Sequence, residues 1–273
     1  MQYVIDEEGE LFNSLVKIFS ESSRTTIRSW IEHERITLNG KKAHRAKTPV
    51  AKGDIVELLP KPLPKEGPLK IHYEDEHVIV VDKPAGLLSV AKDTGKGISA
   101  HAYVKRHVPG KKVFVIHRLD QETSGLLVFA LSQQAFHKLK EELKQRKVQR
   151  TYVAIVEGGL EGEGVWDCYV VEDRSLKMRT VPKGSVGAER AITKYKVLRS
   201  GVKTSLIECH LVTGKKNQIR IQAAVAGHPI IGDTKYGAPH SHAPRMCLHA
   251  STLSFLHPIT RKELLFKSPH HFT

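Results

Sequence analysis

Apolar positions Ile27, Trp30 and Ile31 fall on one face of a short helix, and Ser23 stands where a serine can cap its first turn. The rhythm then changes to alternation at Ile36-Thr37-Leu38, stops at Asn39-Gly40, and resumes at Ile55-Val56-Glu57-Leu58 after Gly53-Asp54. Asn-Gly between alternating segments is a strong hairpin signal, so a helix followed by a hairpin and a further strand is expected here. Residues 60–69 (PKPLPKEGPL) hold four prolines. Each fixes φ and removes a backbone donor, which predicts an extended linker. The chain therefore divides into a small domain at 1–59, a linker at 60–69 and a large domain at 70–273.

In the large domain, His77–Val81 reads as a buried strand closed by Asp82-Lys83-Pro84-Ala85-Gly86. Further strands are predicted at Tyr152–Val156, Ile192–Leu198, Ser205–Leu211 and Leu248–Phe255. The clearest helix is 132–147, with an apolar stripe of Phe136, Leu139 and Leu143. Ser132 suits its cap, and Lys144, Arg146 and Lys147 complement its negative end. A second helix is predicted at 217–226, ended by Gly227 and Pro229. Strands mixed with irregularly spaced helices indicate an α+β class with a mixed, largely antiparallel sheet.

Charge adds a partner to this picture. The 273 residues carry a net charge of +14, so a polyanion is the first partner to consider. Residues 1–62 contribute only +1 of it, yet 24–47 hold seven Lys/Arg against two Glu. Such segregation suits a face turned to phosphates, while leaving RNA, DNA and an anionic membrane open. Cys168, Cys209 and Cys247 are odd in number and widely spaced, a pattern of reduced thiols and not of a disulfide framework. No stretch is long and apolar enough to span a bilayer, and the acidic start MQYVIDEEGE resembles no targeting segment. A cytoplasmic location is expected.

The segment 114–131 (FVIHRLDQETSGLLVFAL) carries candidate chemistry. Two apolar runs, Phe114–Ile116 and Leu126–Phe129, flank a polar insertion that contains His117, Arg118 and Asp120. Gly125 would permit a sharp turn there. A carboxylate between two buried strands is costly unless a cation or donors receive it. On the residues alone, a structural loop in which Asp120 caps backbone donors is the favoured reading. His240, His242, Cys247 and His249 lie close together, but their spacing matches no zinc pattern, and no metal is expected.

Two resemblances give these residues a context. Residues 13–60, through Ser23-Arg24-x-x-Ile27, Trp30-Ile31, Ile36-Thr-Leu-Asn-Gly-Lys41 and Gly53-Asp54, resemble the small S4-like RNA-binding domain, named after the fourth protein of the small ribosomal subunit. This likeness implies RNA contacts from Arg24, Arg28, Lys41 and Lys42. The segment HRLDQETSGLL resembles the catalytic motif of the RluA family of pseudouridine synthases. Lys83-Pro84-Ala85-Gly86-Leu87, Arg150-Thr-Tyr152-Val-Ala154, Gln218-Ile219-Arg220, Gly227-His228-Pro229 to Asp233, and Leu248-His249-Ala250 to His257-Pro258 follow in the family's order.

The RluA resemblance implies an enzyme that breaks the N-glycosidic bond of a uridine in RNA, turns the uracil and rejoins it through carbon. The product is an isomer, so no cofactor is implied. Asp120 would be the catalytic carboxylate, Arg220 its ion-pair partner, and Tyr152 a base-stacking residue suited to proton transfer. Arg118 would fill the gap left by the flipped base or contact a phosphate or carboxylate, and Ile219 would pack near the base or simply in the core. His117 is read as structural. The chain departs from the family where Asn217 and Gln222 stand in place of two imidazoles and Lys215 in place of an arginine, which bears on substrate choice and efficiency. The expected substrate is large-subunit ribosomal RNA, then transfer RNA, and a monomer is favoured. The rivals are a catalytically weak RNA-binding ribosome-assembly factor and, on charge alone, a DNA-binding protein.

Overall fold

A computed structural model describes residues 2–32, 34–59, 69–91, 98–173, 177–237 and 243–272. Most of the proline-rich segment and both His240 and His242 lie outside the described residues. The chain forms two compact units, Met1–Lys65 and Glu66–Thr273.

The first unit contains strands β1 (Gln2–Val4) and β2 (Gly9–Glu10), helices α1 (Leu11–Ile18) and α2 (Arg24–Glu32), then β3 (Ile36–Leu38), β4 (Lys41–Lys42), β5 (Pro49–Val50) and β6 (Ile55–Leu58). A sheet in the order β1-β6-β3-β4 and the pair β2-β5 bury Leu11, Leu15, Ile27, Ile31, Ile36 and Val56 against the helices. The cap on α2 forms as expected, with Thr26 N donating to Ser23 Oγ at 3.1 Å. Asn39 and Gly40 both take positive φ (51° and 79°), the backbone a tight hairpin demands. Asn39 also receives the Ile55 N–H and donates to Asp54, so the two turns signalled in the sequence are tied together.

The second unit contains β7 (Lys70–Glu74), β8 (Val78–Lys83), α3 (Ala100–His107), β9 (Phe114–Val115), β10 (Ser124–Ala130) and α4 (Gln133–Lys144). It continues with β11 (Gln149–Glu157), β12 (Glu163–Glu172), β13 (Met178–Val181), β14 (Glu189–Ser200), β15 (Thr204–Leu211), α5 (Gln218–Val225), β16 (Leu248–Leu256) and β17 (Glu263–Lys267). The strands form one sheet in the order β13-β12-β14-β15-β11-β16-β10-β8-β7, with β9 on β10 and β17 on β16. Among the described strand pairs, β10–β16 is the parallel one, so the sheet is mixed and largely antiparallel.

Alternation along β8 and β10 builds two cores from one sheet. Ile79, Val81, Leu127 and Phe129 face one side with α3 and α5 residues, whereas Val78, Val80, Leu126 and Val128 face the other beneath α4. Burial on both faces explains why these strands read as continuous apolar runs.

Several boundaries shift. The helix expected at 132–147 stops at Lys144, because Arg146 turns to a φ of 61°. Its Ser132 cap is in place, accepting from Ala135 N. The helix expected at 217–226 starts at Gln218, since Asn217 is left-handed. Gly125 does not make a turn. It lies inside β10, where an added Cβ would stand 2.3 Å from the Ala250 carbonyl oxygen, so glycine lets β10 and β16 close together. The three cysteines are free, and among the described residues no helix is long and apolar enough to cross a membrane.

Candidate active site

The loop between β9 and β10 carries Asp120, and the chain around it is pinned on both sides. Before it, Ser89 Oγ donates to Leu119 O (2.7 Å) and accepts from Leu119 N (2.9 Å). After it, Gln121 O accepts from Gly86 N at 2.8 Å and from the buried Lys83 ammonium at 3.1 Å. Lys83 also donates to Pro84 O and Leu87 O, which accounts for a wholly buried lysine: its charge is received by carbonyls of the loop it organises. Further on, Ser124 is held by His249 (2.9 Å) and Arg245 (3.0 Å). Few degrees of freedom remain for Asp120.

Arg220 meets it from the first turn of α5. Its Nη1 donates to Asp120 Oδ2 at 3.2 Å and to Asn217 Oδ1 at 3.2 Å. Its Nε and Nη2 form a fork on Asp233, at 2.7 and 2.8 Å. Asp233 is itself oriented by the Lys235 and Tyr236 backbone N–H groups. Burial pulls the Arg220 pKa down, but hydrogen bonds and charge from Asp233, then charge and a hydrogen bond from Asp120, outweigh it and hold the guanidinium above its ordinary range. Arg220 is thus a permanent cation with one acid wholly enclosed and the other, Asp120, 25% exposed toward the pocket.

That pocket is about 70 Å³ and brings Arg118, Asp120, Tyr152, Ile219 and Arg220 together, with Arg150 and Leu248 also in its wall. Tyr152 comes from β11 and Ile219 from α5, so three distant segments converge. Burial raises the Tyr152 pKa, the Arg150 cation lowers it and the Asp120 carboxylate raises it, with a net upward shift. The phenol stays protonated at neutral pH. Ile219 is buried in the core and also reaches the pocket wall. Arg118 is exposed at the rim.

His117 is buried beside the loop, where its Nε2 accepts from Val128 N at 3.5 Å. Burial first, then the Arg150 and Lys140 cations, push its pKa to about 3, so it is neutral. Asn217 and Gln222 have structural partners. Asn217 Nδ2 donates to the Tyr236 hydroxyl at 2.9 Å, and the Tyr236 ring lies 5.2 Å from the Arg220 guanidinium. Gln222 accepts from Thr193 Oγ1 at 2.7 Å and donates to Ala191 O and Trp166 O. Among the described residues no cluster of three His, Cys, Asp or Glu side chains is placed to hold a metal. His249 is taken up by Ser124 and Ser268.

The remaining sequence-selected residues belong to the other unit. Arg24 and Arg28 lie over the Phe12 ring at 5.5 and 5.2 Å and are otherwise exposed. Lys41 and Lys42 form β4, where Lys42 pairs with Glu34 at 3.0 Å.

The family description "RNA pseudouridylate synthase" matches residues 77–225, and "S4 domain" matches residues 11–56. The chain is 33% identical over 276 residues to the Bacillus subtilis "Uncharacterized RNA pseudouridine synthase YhcT", covering 96% of this chain and 90% of that protein. The chain belongs to the RNA pseudouridylate synthase family. It is an isomerase acting on RNA, of the RluA type, with an S4 domain at its N-terminus. It is also 33% identical over 288 residues to the Neisseria meningitidis "Ribosomal large subunit pseudouridine synthase D", with coverage of 96% and 75%. The solved structure of human "RNA Pseudouridylate Synthase Domain Containing 4" is similar, with a TM-score of 0.60, 26% identity, and coverage of 73% of this chain and 88% of that one.

Proposed function

We propose that this pseudouridine synthase converts specific uridines of large-subunit ribosomal RNA, with Asp120 as the reacting carboxylate. The observation that carries the assignment is the 3.2 Å contact between Arg220 and Asp120 at a pocket that also holds Tyr152. A cation fixed by Asp233 lies against Asp120, on the side from which a carboxylate acting as a nucleophile or as a stabiliser of positive charge at the sugar is oriented. The substrate is favoured by the ribosomal name of a relative that aligns over almost the whole chain.

In the reaction the bond from C1′ to N1 breaks, the uracil turns, and C1′ bonds to C5. The C5 proton is then lost and N1, freed from C1′, takes up a proton, so the product is an isomer of the substrate. Asp120 is placed to face C1′. Tyr152, whose hydroxyl finds no hydrogen-bond partner among the described residues, is placed to stack on the base and move a proton. A base inside folded RNA must leave its stack to enter this pocket, and Arg118 at the rim takes its place or contacts the strand. Arg24, Arg28, Lys41 and Lys42 hold the RNA elsewhere through its phosphates. The protein works in the cytoplasm as a monomer.

The test is pseudouridine mapping of total cellular RNA from cells carrying the wild-type gene, lacking it, and carrying Asp120→Ala. Sites lost from large-subunit ribosomal RNA in both altered strains are expected. Loss confined to transfer RNA would replace the substrate. An unchanged map in all three would turn the reading toward an RNA-binding assembly factor.

A further inference from the structure

The geometry points to a phosphate subsite beside the uridine pocket, formed by Lys144, Arg146 and Arg150. It rests on the reading of that pocket as the base site. A groove of about 260 Å³ opens next to the pocket, and the two share Arg150, Leu211, Gly214 and Lys215 as walls. Four cations line the groove and no carboxylate does. Lys215 is occupied by Glu189 at 2.5 Å. Among the described residues Lys144, Arg146 and Arg150 have no ion pair, unlike Arg179, Arg190 and Arg261, each of which holds an acid.

Arg150 links the two spaces. It is half-buried, its Nε is buried without a hydrogen-bond partner, and a Cβ at residue 214 would lie 3.0–3.1 Å from its terminal nitrogens. Glycine at 214 therefore lets the guanidinium lie against the backbone. Arg146 is aimed by the left-handed turn that ends α4. The negative end of that helix opposes an anion, but the N–H groups of Gln145, Arg146 and Lys147 already cap carbonyls of its last turn.

A flipped nucleotide sends its base into the pocket while its phosphates stay on the strand outside. A carboxylate-free groove with unpaired cations on the pocket rim suits one of those phosphodiesters. Two guanidiniums offer the forked donors that phosphate oxygens accept. The occupant is thus the phosphate flanking the target uridine, and its role is to fix the strand while the base turns.

The test uses the full-length protein and a short RNA containing the uridine found by mapping, with and without one uncharged methylphosphonate at either flanking linkage. Lys144→Ala/Arg146→Ala is expected to bind the unmodified RNA roughly tenfold more weakly, with a salt slope shallower by about 1–2. One flanking methylphosphonate should weaken wild-type binding similarly and weaken the double variant, which keeps Arg150, distinctly less. Wild-type affinity and salt slope in the variant, or additive losses at both linkages, would overturn the subsite. Failure of the base-site reading is distinguishable, since the wild-type protein would then form no pseudouridine while the binding comparison could still be made.

Discussion

Asp233 holds Arg220 through two parallel hydrogen bonds of 2.7 and 2.8 Å, leaving one guanidinium nitrogen to face Asp120. The fork sets the direction of the third contact. A single-point ion pair would let Arg220 swing, whereas a bidentate one fixes the plane of its guanidinium. Removing the Asp233 charge leaves a buried cation undercompensated. Asp233→Asn is expected to destabilise the second unit by about 3–5 kcal/mol and to lower turnover. Urea unfolding and a rate assay on the folded fraction check this; unchanged stability and rate would contradict it.

Tyr152→Phe keeps the ring and removes only the hydroxyl. That atom has no hydrogen-bond partner among the described residues, so stability should change by less than about 1 kcal/mol. If the hydroxyl moves a proton, single-turnover rates should fall by roughly 10²–10⁴-fold. A wild-type rate would restrict Tyr152 to stacking.

Gln222 lies outside the pocket wall and bonds to Thr193, Ala191 and Trp166. Gln222→Ala strands those buried groups and should cost about 1–3 kcal/mol. Turnover per folded molecule is expected to stay near wild type. A large kcat loss at full stability would assign this departure from the family pattern a catalytic role.

Acid should weaken the fold through its buried histidines. Burial, followed by nearby cations, depresses the His117 pKa to about 3, whereas an unfolded histidine titrates near 6.5. Below that value the unfolded chain takes up a proton that the native state refuses. Stability is therefore complete above pH ~6.5 and falls as pH drops toward 3, by up to about 1.4 kcal/mol per pH unit for this site. His249, depressed to about 4 chiefly by burial, adds to the slope. Urea unfolding at pH 7.5 and 5.5 should show a smaller drop for His117→Gln than for wild type. Equal drops would contradict the assignment.

Much of the fold was legible because its signals are local. The Asn39-Gly40 hairpin, the Ser132 cap and the continuous apolar runs of β8 and β10 depend on neighbouring residues. Strands β12 and β17 were missed because their half-exposed sequences mix charged and apolar residues without a clear period. Helix α1 showed only Leu11, Phe12 and Leu15 as a face, beside a crowded acidic start. In the site, the family motifs pointed to Asp120, Tyr152 and Arg220, which the structure brings into one pocket. Asp233 appeared in a motif, but its grip on Arg220 depends on a turn thirteen residues away. Arg150 also stood in a motif, but its lack of an acidic partner among the described residues is a property of packing that the sequence does not display.

The most direct measurement is pseudouridine formation by purified protein on large-subunit ribosomal RNA, comparing wild type with Asp120→Asn. The substitution preserves shape and an oxygen for Arg220 while removing the charge. Wild type is expected to form pseudouridine, and Asp120→Asn to bind the RNA equally well yet turn over at least about 10³-fold more slowly. A wild-type rate from Asp120→Asn would contradict the account of this site.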